Sequence, residues 1–159
     1  MKKRMILIPV CVFALITGCF LFLGQIRRNE ISDILARQLS VNENAEANTS
    51  ITSSDTTYNW VHRSLDFSIG VNSDQNEVVS AVFVFTGEQK NNVTIHTKQK
   101  KLQTGTENIF TASLPYQKLS KGDWLMSAYL LDQNNHKASL KNPGIDSSGY
   151  LAICTFHVR

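Results

Sequence analysis

The sequence predicts an all-β fold, a sandwich of about seven antiparallel strands, preceded by one transmembrane helix. Three observations predict it. Residues 5–24 form an apolar run without a charged side chain. From Tyr58 onward, apolar residues recur at every second position, which is the period of a half-buried strand and not of a helix. Short stretches rich in Gly, Asn, Asp and Ser separate these alternating segments, as turns separate strands.

The apolar run, residues 5–24, is predicted to be a signal-anchor helix in the cell membrane. A helix of about twenty residues spans the roughly 30 Å of a bilayer's hydrocarbon core. Residues 1–4 form a short tail that contains Lys2, Lys3 and Arg4. Because short basic segments stay in the cytoplasm, we expect a cytoplasmic N-terminus, a single pass and an extracytoplasmic C-terminal domain. The lipid bilayer is therefore the first predicted partner.

A cysteine within this run leaves its processing open. The residues Ile16-Thr17-Gly18-Cys19 resemble the lipobox of bacterial lipoproteins, and this resemblance implies lipidation of Cys19. The apolar run continues beyond it as Phe20-Leu21-Phe22-Leu23, which favours an uncleaved anchor. Ordinary signal-peptide cleavage is the third alternative, although no small-x-small site ends a short apolar region.

Two segments of different character are predicted between the anchor and the β-domain. Residues 25–39 place apolar side chains at helical spacing among charged ones, which predicts a juxtamembrane amphipathic helix. Residues 40–57 read SVNENAEANTSITSSDTT and contain few apolar side chains. Such a segment buries too little surface to offset the entropy lost on ordering, so it is predicted to be a flexible linker. The globular domain is then residues 58–159.

The strands of the predicted domain follow from alternation of apolar and polar side chains. Each set below places its members on one face of a strand. In chain order, the alternating sets are Leu65, Phe67, Ile69 and Val71; Val79, Ala81, Phe83 and Phe85; Val93 and Ile95; Phe110, Ala112 and Leu114; Trp124, Met126, Ala128 and Leu130; and Tyr150, Ala152, Cys154, Phe156 and Val158.

One passage resembles a known family. Leu119-Ser120-Lys121-Gly122-Asp123-Trp124, which runs into Ala128-Tyr129-Leu130-Leu131-Asp132, is similar to the turn and core strand of fibronectin type III and bacterial surface immunoglobulin-like domains. The resemblance implies an immunoglobulin-like sandwich on an N-terminal membrane anchor, with a binding or spacer role. The chain lacks the cysteine pair of antibody domains, and Trp124 stands where many relatives carry tyrosine.

Charge and cysteine content narrow the possible partners and the sources of stability. After residue 24, thirteen acidic side chains balance thirteen basic ones. A neutral domain gives no electrostatic reason to bind nucleic acid, so none is predicted as a partner. Cys154 is the only cysteine after the apolar run, which excludes a disulfide within the domain. It is predicted to pack as a small buried hydrophobe, with an intermolecular disulfide or a reactive thiol as the alternative.

The sequence predicts no enzyme, no cofactor and no metal site. It contains no Gly-x-Ser-x-Gly elbow, no phosphate-binding glycine loop and no Cys-x-x-Cys pair. The four histidines are isolated in sequence, so a metal site would need side chains to converge from separate strands. His62 and His157 are expected to face solvent.

Three functions are compatible with this organisation. The favoured one is an interaction module at the cell envelope that binds an envelope protein or a glycan through loops at one end of the sandwich. An accessory subunit of a membrane complex, contacted through the anchor and stalk, is the alternative. A metal-handling lipoprotein anchored at Cys19 is the third. The candidate binding-loop residues are Asn72, Asp74, Gln75, Glu88, Lys90, Asn134, Asn135 and His136.

Overall fold

Eight strands account for most of the described chain. The computed structural model describes residues 39–43, 46–89 and 91–159. A short 3-10 helix, Tyr116–Lys118, follows the sixth strand. The strands are β1 (Thr49–Asn59), β2 (Ser64–Ser73), β3 (Val78–Gly87), β4 (Asn92–His96), β5 (Lys100–Lys101), β6 (Asn108–Pro115), β7 (Gly122–Asp132) and β8 (Leu151–Val158).

The strands form two antiparallel sheets, which confirms the all-β prediction. One sheet has three strands in the order β1-β2-β6. The other has the order β4-β3-β7-β8, and β5 pairs with the beginning of β3. The chain passes from one sheet to the other after β2, after β5 and after β6, so β2 and β6 pair although they are not consecutive in sequence.

Aromatic side chains fill the space between the sheets. Phe67 of β2 has its ring centroid 4.8 Å from that of Phe85 in β3 and 5.5 Å from that of Phe156 in β8. Ile69 and Val71 continue the same face of β2 and are fully buried. Four of the predicted alternating sets therefore face the core, namely those that begin at Leu65, Val79, Phe110 and Trp124. Within these sets, Leu65 is only half-buried.

Trp124 is a core residue, as the sequence predicted. Its indole is buried and lies nearly parallel to the ring of Phe156, with centroids 6.4 Å apart. The indole N–H donates a hydrogen bond to the carbonyl of Ser120, 2.9 Å away, so its one polar group is satisfied. Gly87 on the neighbouring strand passes so close that a Cβ there would lie 3.0 Å from the indole. A side chain at this position would therefore force the buried indole to shift.

The last strand corrects the predicted alternation. A β-bulge interrupts the pairing of β7 with β8, and Ile153 is the extra residue. On its C-terminal side, Cys154 pairs with Met126 on the inner face, and burial raises the pKa of the Cys154 thiol. On its N-terminal side, Leu151 is buried and Ala152 is on the outer face, so Ala152 and Tyr150 do not belong to the predicted inward set.

The predicted flexible linker is wrong for residues 49–57, because these residues form most of β1. The strand pairs with β2 along its length, and Ile51 is fully buried. The side chain of Asn142 accepts a hydrogen bond from the N–H of Ile51 and donates one to its carbonyl, each 2.8 Å long. Backbone pairing and this side-chain clamp supply the stabilisation that the sparse apolar content did not indicate.

The predicted N-terminal elements lie outside the described residues. These are the cytoplasmic tail, the signal-anchor helix of residues 5–24 with Cys19, and all but the last residue of the juxtamembrane helix of residues 25–39. Within the described ranges, no helix has the length and apolar character needed to cross a membrane.

Replacing the buried tryptophan tests the core assignment. Trp124→Ala is expected to lower the free energy of unfolding by about 3 to 5 kcal/mol, the usual loss for truncating a buried aromatic side chain. The control is His136→Ala, at a side chain that is 80% exposed, with an expected change of about 0.5 kcal/mol or less. Urea denaturation followed by tryptophan fluorescence and circular dichroism measures both. Equal effects would contradict the core role of Trp124.

Truncation tests the corrected domain boundary. A fragment of residues 40–159 keeps β1 and is expected to fold, whereas a fragment of residues 58–159 loses most of the strand that pairs with β2. The shorter fragment should aggregate or show no cooperative unfolding, because the backbone groups of one β2 edge and Ile69 lose their cover. Circular dichroism and urea titration distinguish the two. Cooperative folding of the 58–159 fragment would support the domain boundary at residue 58 that the sequence predicts.

Candidate functional site

An open groove of about 600 Å³ lies on the outer face of the three-stranded sheet. This volume falls within the range of small-molecule binding sites. Asn59, the last residue of β1, and His62, in the turn that follows it, line one end. The floor carries six polar side chains, two from each strand: Asp55 and Thr57, Asp66 and Ser68, and Thr111 and Ser113.

Strand alternation forces these polar side chains outward. Phe67 of β2 is buried between the sheets, so its neighbours Asp66 and Ser68 must point to the other face. The strand register then aligns the polar residues in two rows across the sheet. One row is Asp55, Ser68 and Thr111, and the other is Thr57, Asp66 and Ser113.

The carboxylate of Asp66 accepts three hydrogen bonds at the groove floor. Its Oδ1 accepts hydrogen bonds from the hydroxyls of Ser113, at 2.6 Å, and Ser64, at 2.9 Å. Its Oδ2 accepts one from the amide of Asn59 at 3.0 Å. These hydrogen bonds lower the pKa of Asp66, and the one from Ser113 has the largest effect, followed by those from Asn59 and Ser64. The nearby imidazole of His62 lowers the pKa by a smaller amount. The carboxyl is therefore a fixed, ionised acceptor at neutral pH.

Asn59 joins the groove to the tip of the β1–β2 hairpin. While its amide nitrogen donates to Asp66, its Oδ1 accepts from the backbone N–H groups of Val61, at 3.1 Å, and His62, at 3.2 Å. This arrangement fixes the turn, in which Arg63 adopts a left-handed conformation with φ of 47°. The orientation of the tip thus depends on the same hydrogen-bond network that holds Asp66.

The hairpin tip, defined here as Trp60 and Val61, displays two apolar side chains to solvent. Trp60 is 83% exposed and Val61 is 85% exposed. The Trp60 ring meets Tyr58 edge-to-face at a centroid distance of 4.6 Å, and Tyr58 meets Tyr116 at 6.2 Å. An exposed apolar residue alone is unremarkable, but two adjacent ones on a fixed turn beside a groove are typical of a contact surface.

The predicted binding loops do not lie together. Val79 at the start of β3 pairs with Asp132, while Gly87 at its end pairs with Trp124. The β2–β3 turn, with Asn72, Asp74 and Gln75 at or near it, therefore lies at the same end of the sandwich as Asn134, Asn135 and His136. Glu88 lies at the opposite end, and Lys90 falls outside the described residues. The hypothesis that all three loops form one surface is wrong, because the turns before and after a strand lie at its opposite ends.

Local hydrogen bonds account for several of these loop residues. Asp132 accepts hydrogen bonds from the N–H groups of Asn134 and His136, each 2.8 Å long, which shapes the turn after β7. Asp74 forms an ion pair with Lys141. These contacts hold the loops in place, so other features must indicate which surface binds a ligand.

The long connection between β7 and β8 is held against the five-stranded sheet by a cation–π contact. The ammonium of Lys137 lies 4.0 Å from the ring centroid of Tyr150 and 4.7 Å from that of Tyr129. Burial is the main cause that raises the pKa of Tyr129.

His157 faces solvent, as predicted, with its Nδ1 2.6 Å from a carboxylate oxygen of Asp123. In the part of the chain that the structure describes, no three His, Cys, Asp or Glu side chains converge as a metal site would require.

Sequence reasoning missed both the groove and the hairpin tip. The groove residues are far apart in sequence and become neighbours only through the pairing of β1 with β2 and β2 with β6. The tip did leave a signal, since Trp60-Val61 is an apolar pair inside the polar turn between Asn59 and Ser64.

Comparison with known proteins gives little beyond this geometry. No protein-family model matches the chain, and no curated protein matches it. Among solved structures, β-glucuronidase 2 of Bacteroides uniformis matches 57% of the chain at 13% identity with a TM-score of 0.37, and the match spans 12% of the glucuronidase. A Bordetella pertussis protein titled ApaA matches 68% of the chain, and 88% of its own length, at 11% identity with a TM-score of 0.31. These TM-scores are low, and no inference about activity rests on them.

The lowered pKa of Asp66 predicts an acid-sensitive stability difference. A carboxyl whose folded pKa lies below its ordinary value of 3.8 stabilises the fold fully above that value and loses this effect as pH falls through the folded pKa. Asp66→Asn should therefore be less stable than the wild type at neutral pH, and the gap should narrow in acid. Urea midpoints between about pH 7 and pH 2 measure the gap. A gap that does not change with pH would contradict the network.

Proposed function

We propose that this chain is a membrane-tethered, extracytoplasmic binding module that contacts a component of the cell envelope through its hairpin tip and the adjoining groove. The display of Trp60 and Val61 on a fixed turn is the observation that carries the proposal. Apolar side chains held in water at a rigid position lose little conformational entropy when a ligand covers them, so their burial contributes to affinity.

The strand order supports an immunoglobulin-like classification of the module. In immunoglobulin domains, strands A, B and E share one sheet while C, F and G share the other. The order β1-β2-β6 fits the first sheet, and β3-β7-β8 fits the second, with β4 and β5 in the stretch between C and E. Such sandwiches present loops and strand faces on a rigid scaffold, which suits binding.

The hairpin tip lies one strand length from the beginning of β1. The strand runs eleven residues, from Thr49 to Asn59 beside the tip. At about 3.3 Å per residue, its two ends lie roughly 33 Å apart.

The chemistry of the groove favours binding over catalysis. A general acid or base works best with a pKa near the operating pH. The pKa of Asp66 is shifted the other way, downward, and its oxygens already accept three hydrogen bonds from the protein. Such a carboxylate orients neighbours and accepts hydrogen bonds, and it has little tendency to take up a proton.

Co-sedimentation with cell envelopes tests the proposed function. The full chain, labelled and solubilised, is mixed with envelopes from cells that lack the gene, and the bound fraction is measured against concentration. The double variant Trp60→Ala/Val61→Ser should weaken binding about tenfold or more, since it removes the two exposed apolar side chains.

The matched control is Leu125→Ser, which removes another exposed apolar side chain, 38% exposed, on the five-stranded sheet. It should bind as the wild type does. All three proteins should have urea midpoints that agree closely, because the altered side chains lie on the surface. Unchanged binding by the tip variant, or equal loss in the control, would refute the proposed contact surface.

A further inference from the structure

We propose that the groove on the three-stranded sheet binds a carbohydrate chain. The inference rests on the proposed function and names the class of ligand. It follows from three properties of the groove: uncommitted hydroxyls, charge and spacing.

The centre of the groove carries hydroxyls that the protein does not use. Within the described ranges, neither the Ser68 nor the Thr111 hydroxyl forms a hydrogen bond to protein, although both line the groove. A hydroxyl can donate one hydrogen bond and accept two, so these side chains can pair with sugar hydroxyls in either sense. Thr57 adds a third, engaged only by a 3.5 Å contact with Asp55.

The charge of the groove disfavours anionic ligands. Asp55 and Asp66 contribute two carboxylates, and among the described residues no lysine or arginine lines the groove. A phosphate or an acidic polymer would meet these two carboxylates, with the imidazole of His62 as the one basic group that the described residues contribute to the lining. Carboxylates are good acceptors for sugar hydroxyls and amides, so a neutral or amino-bearing glycan is complementary.

The spacing of these groups suits a ligand that carries hydrogen-bonding groups along its whole length. The two polar rows lie two residues apart, which is about 7 Å along a strand, and neighbouring groups within a row lie about 5 Å apart. A glycan presents hydroxyls at intervals on both sides of its chain. A protein surface would need an apolar centre to bind tightly, whereas Phe67 and Ala112, which also border this floor, bury their side chains in the core.

Trp60 is next to the groove in sequence and is not part of its lining. It follows Asn59, which lines the end of the groove, but its ring contacts Tyr58 edge-to-face at a centroid distance of 4.6 Å. Tyr58 pairs with Leu65 on the face of β2 that carries Phe67, opposite the groove. The contacts expected with a carbohydrate are therefore those of the groove floor.

Calorimetric titration tests the ligand class. The full chain, purified in a detergent without a sugar headgroup, is titrated with cellohexaose, chitohexaose and maltohexaose. At least one hexasaccharide should bind. Ser68→Ala/Thr111→Val should weaken that binding about tenfold, because it removes direct contacts. Thr111→Ser keeps a hydroxyl and should bind as the wild type does.

The control is Thr94→Val/Thr155→Val, which removes two exposed hydroxyls from the other sheet and should leave binding unchanged. Urea midpoints verify that each variant is folded. Thr111→Ser shows whether a change at this position that keeps the hydroxyl leaves binding intact. Failure of all three hexasaccharides, or unchanged binding by the groove variants, would overturn the glycan assignment. If envelope binding still depends on Trp60 in that event, the proposed binding module stands with a ligand of another class.

Discussion

Contact between the aromatic rings of the two sheets is the interaction on which the rest of this structure depends. Phe67 belongs to the three-stranded sheet and meets Phe85 and Phe156 of the other sheet. With no disulfide available to Cys154 among the described residues, this burial supplies the main stabilisation of the domain. The same contact fixes the functional face, because a strand that turns Phe67 inward must turn its neighbours Asp66 and Ser68 outward. The same strand register therefore determines which side chains form the core and which form the groove.

The core was predictable because it follows from a local rule. An alternating segment such as Trp124 to Leu130 shows its buried face in the sequence itself, and the period of two does not depend on which strands are neighbours. The alternation assigned the wrong face only in β8, where the backbone departs from regular geometry. Ile153 is an extra residue in β8, and one inserted residue moves Ala152 to the opposite face from Cys154. A bulge of this kind depends on the partner strand and leaves no periodic signal in the sequence.

Strand β1 and the groove were not predictable for a related reason, since both depend on pairing between distant segments. In β1 the first half is polar apart from Ile51, so composition alone suggested a disordered linker. Its stabilisation comes from β2 and from Asn142, more than ninety residues away in sequence. The groove likewise needs Asp55, Ser68 and Thr111 to lie side by side. The placement of loops depends on topology too, which is why Glu88 lies apart from the other predicted binding residues.

The link between groove and tip gives this surface a property that neither part has alone. Asn59 donates to the Asp66 carboxylate and accepts from the turn that carries Trp60, so the exposed indole is oriented by a chain of hydrogen bonds that ends at Ser113 on β6. A hairpin tip without this connection would move freely and lose entropy on binding. Because the network includes all three strands, the tip is held relative to the groove floor. A ligand that bridges both therefore meets a surface whose two contact regions are already in register.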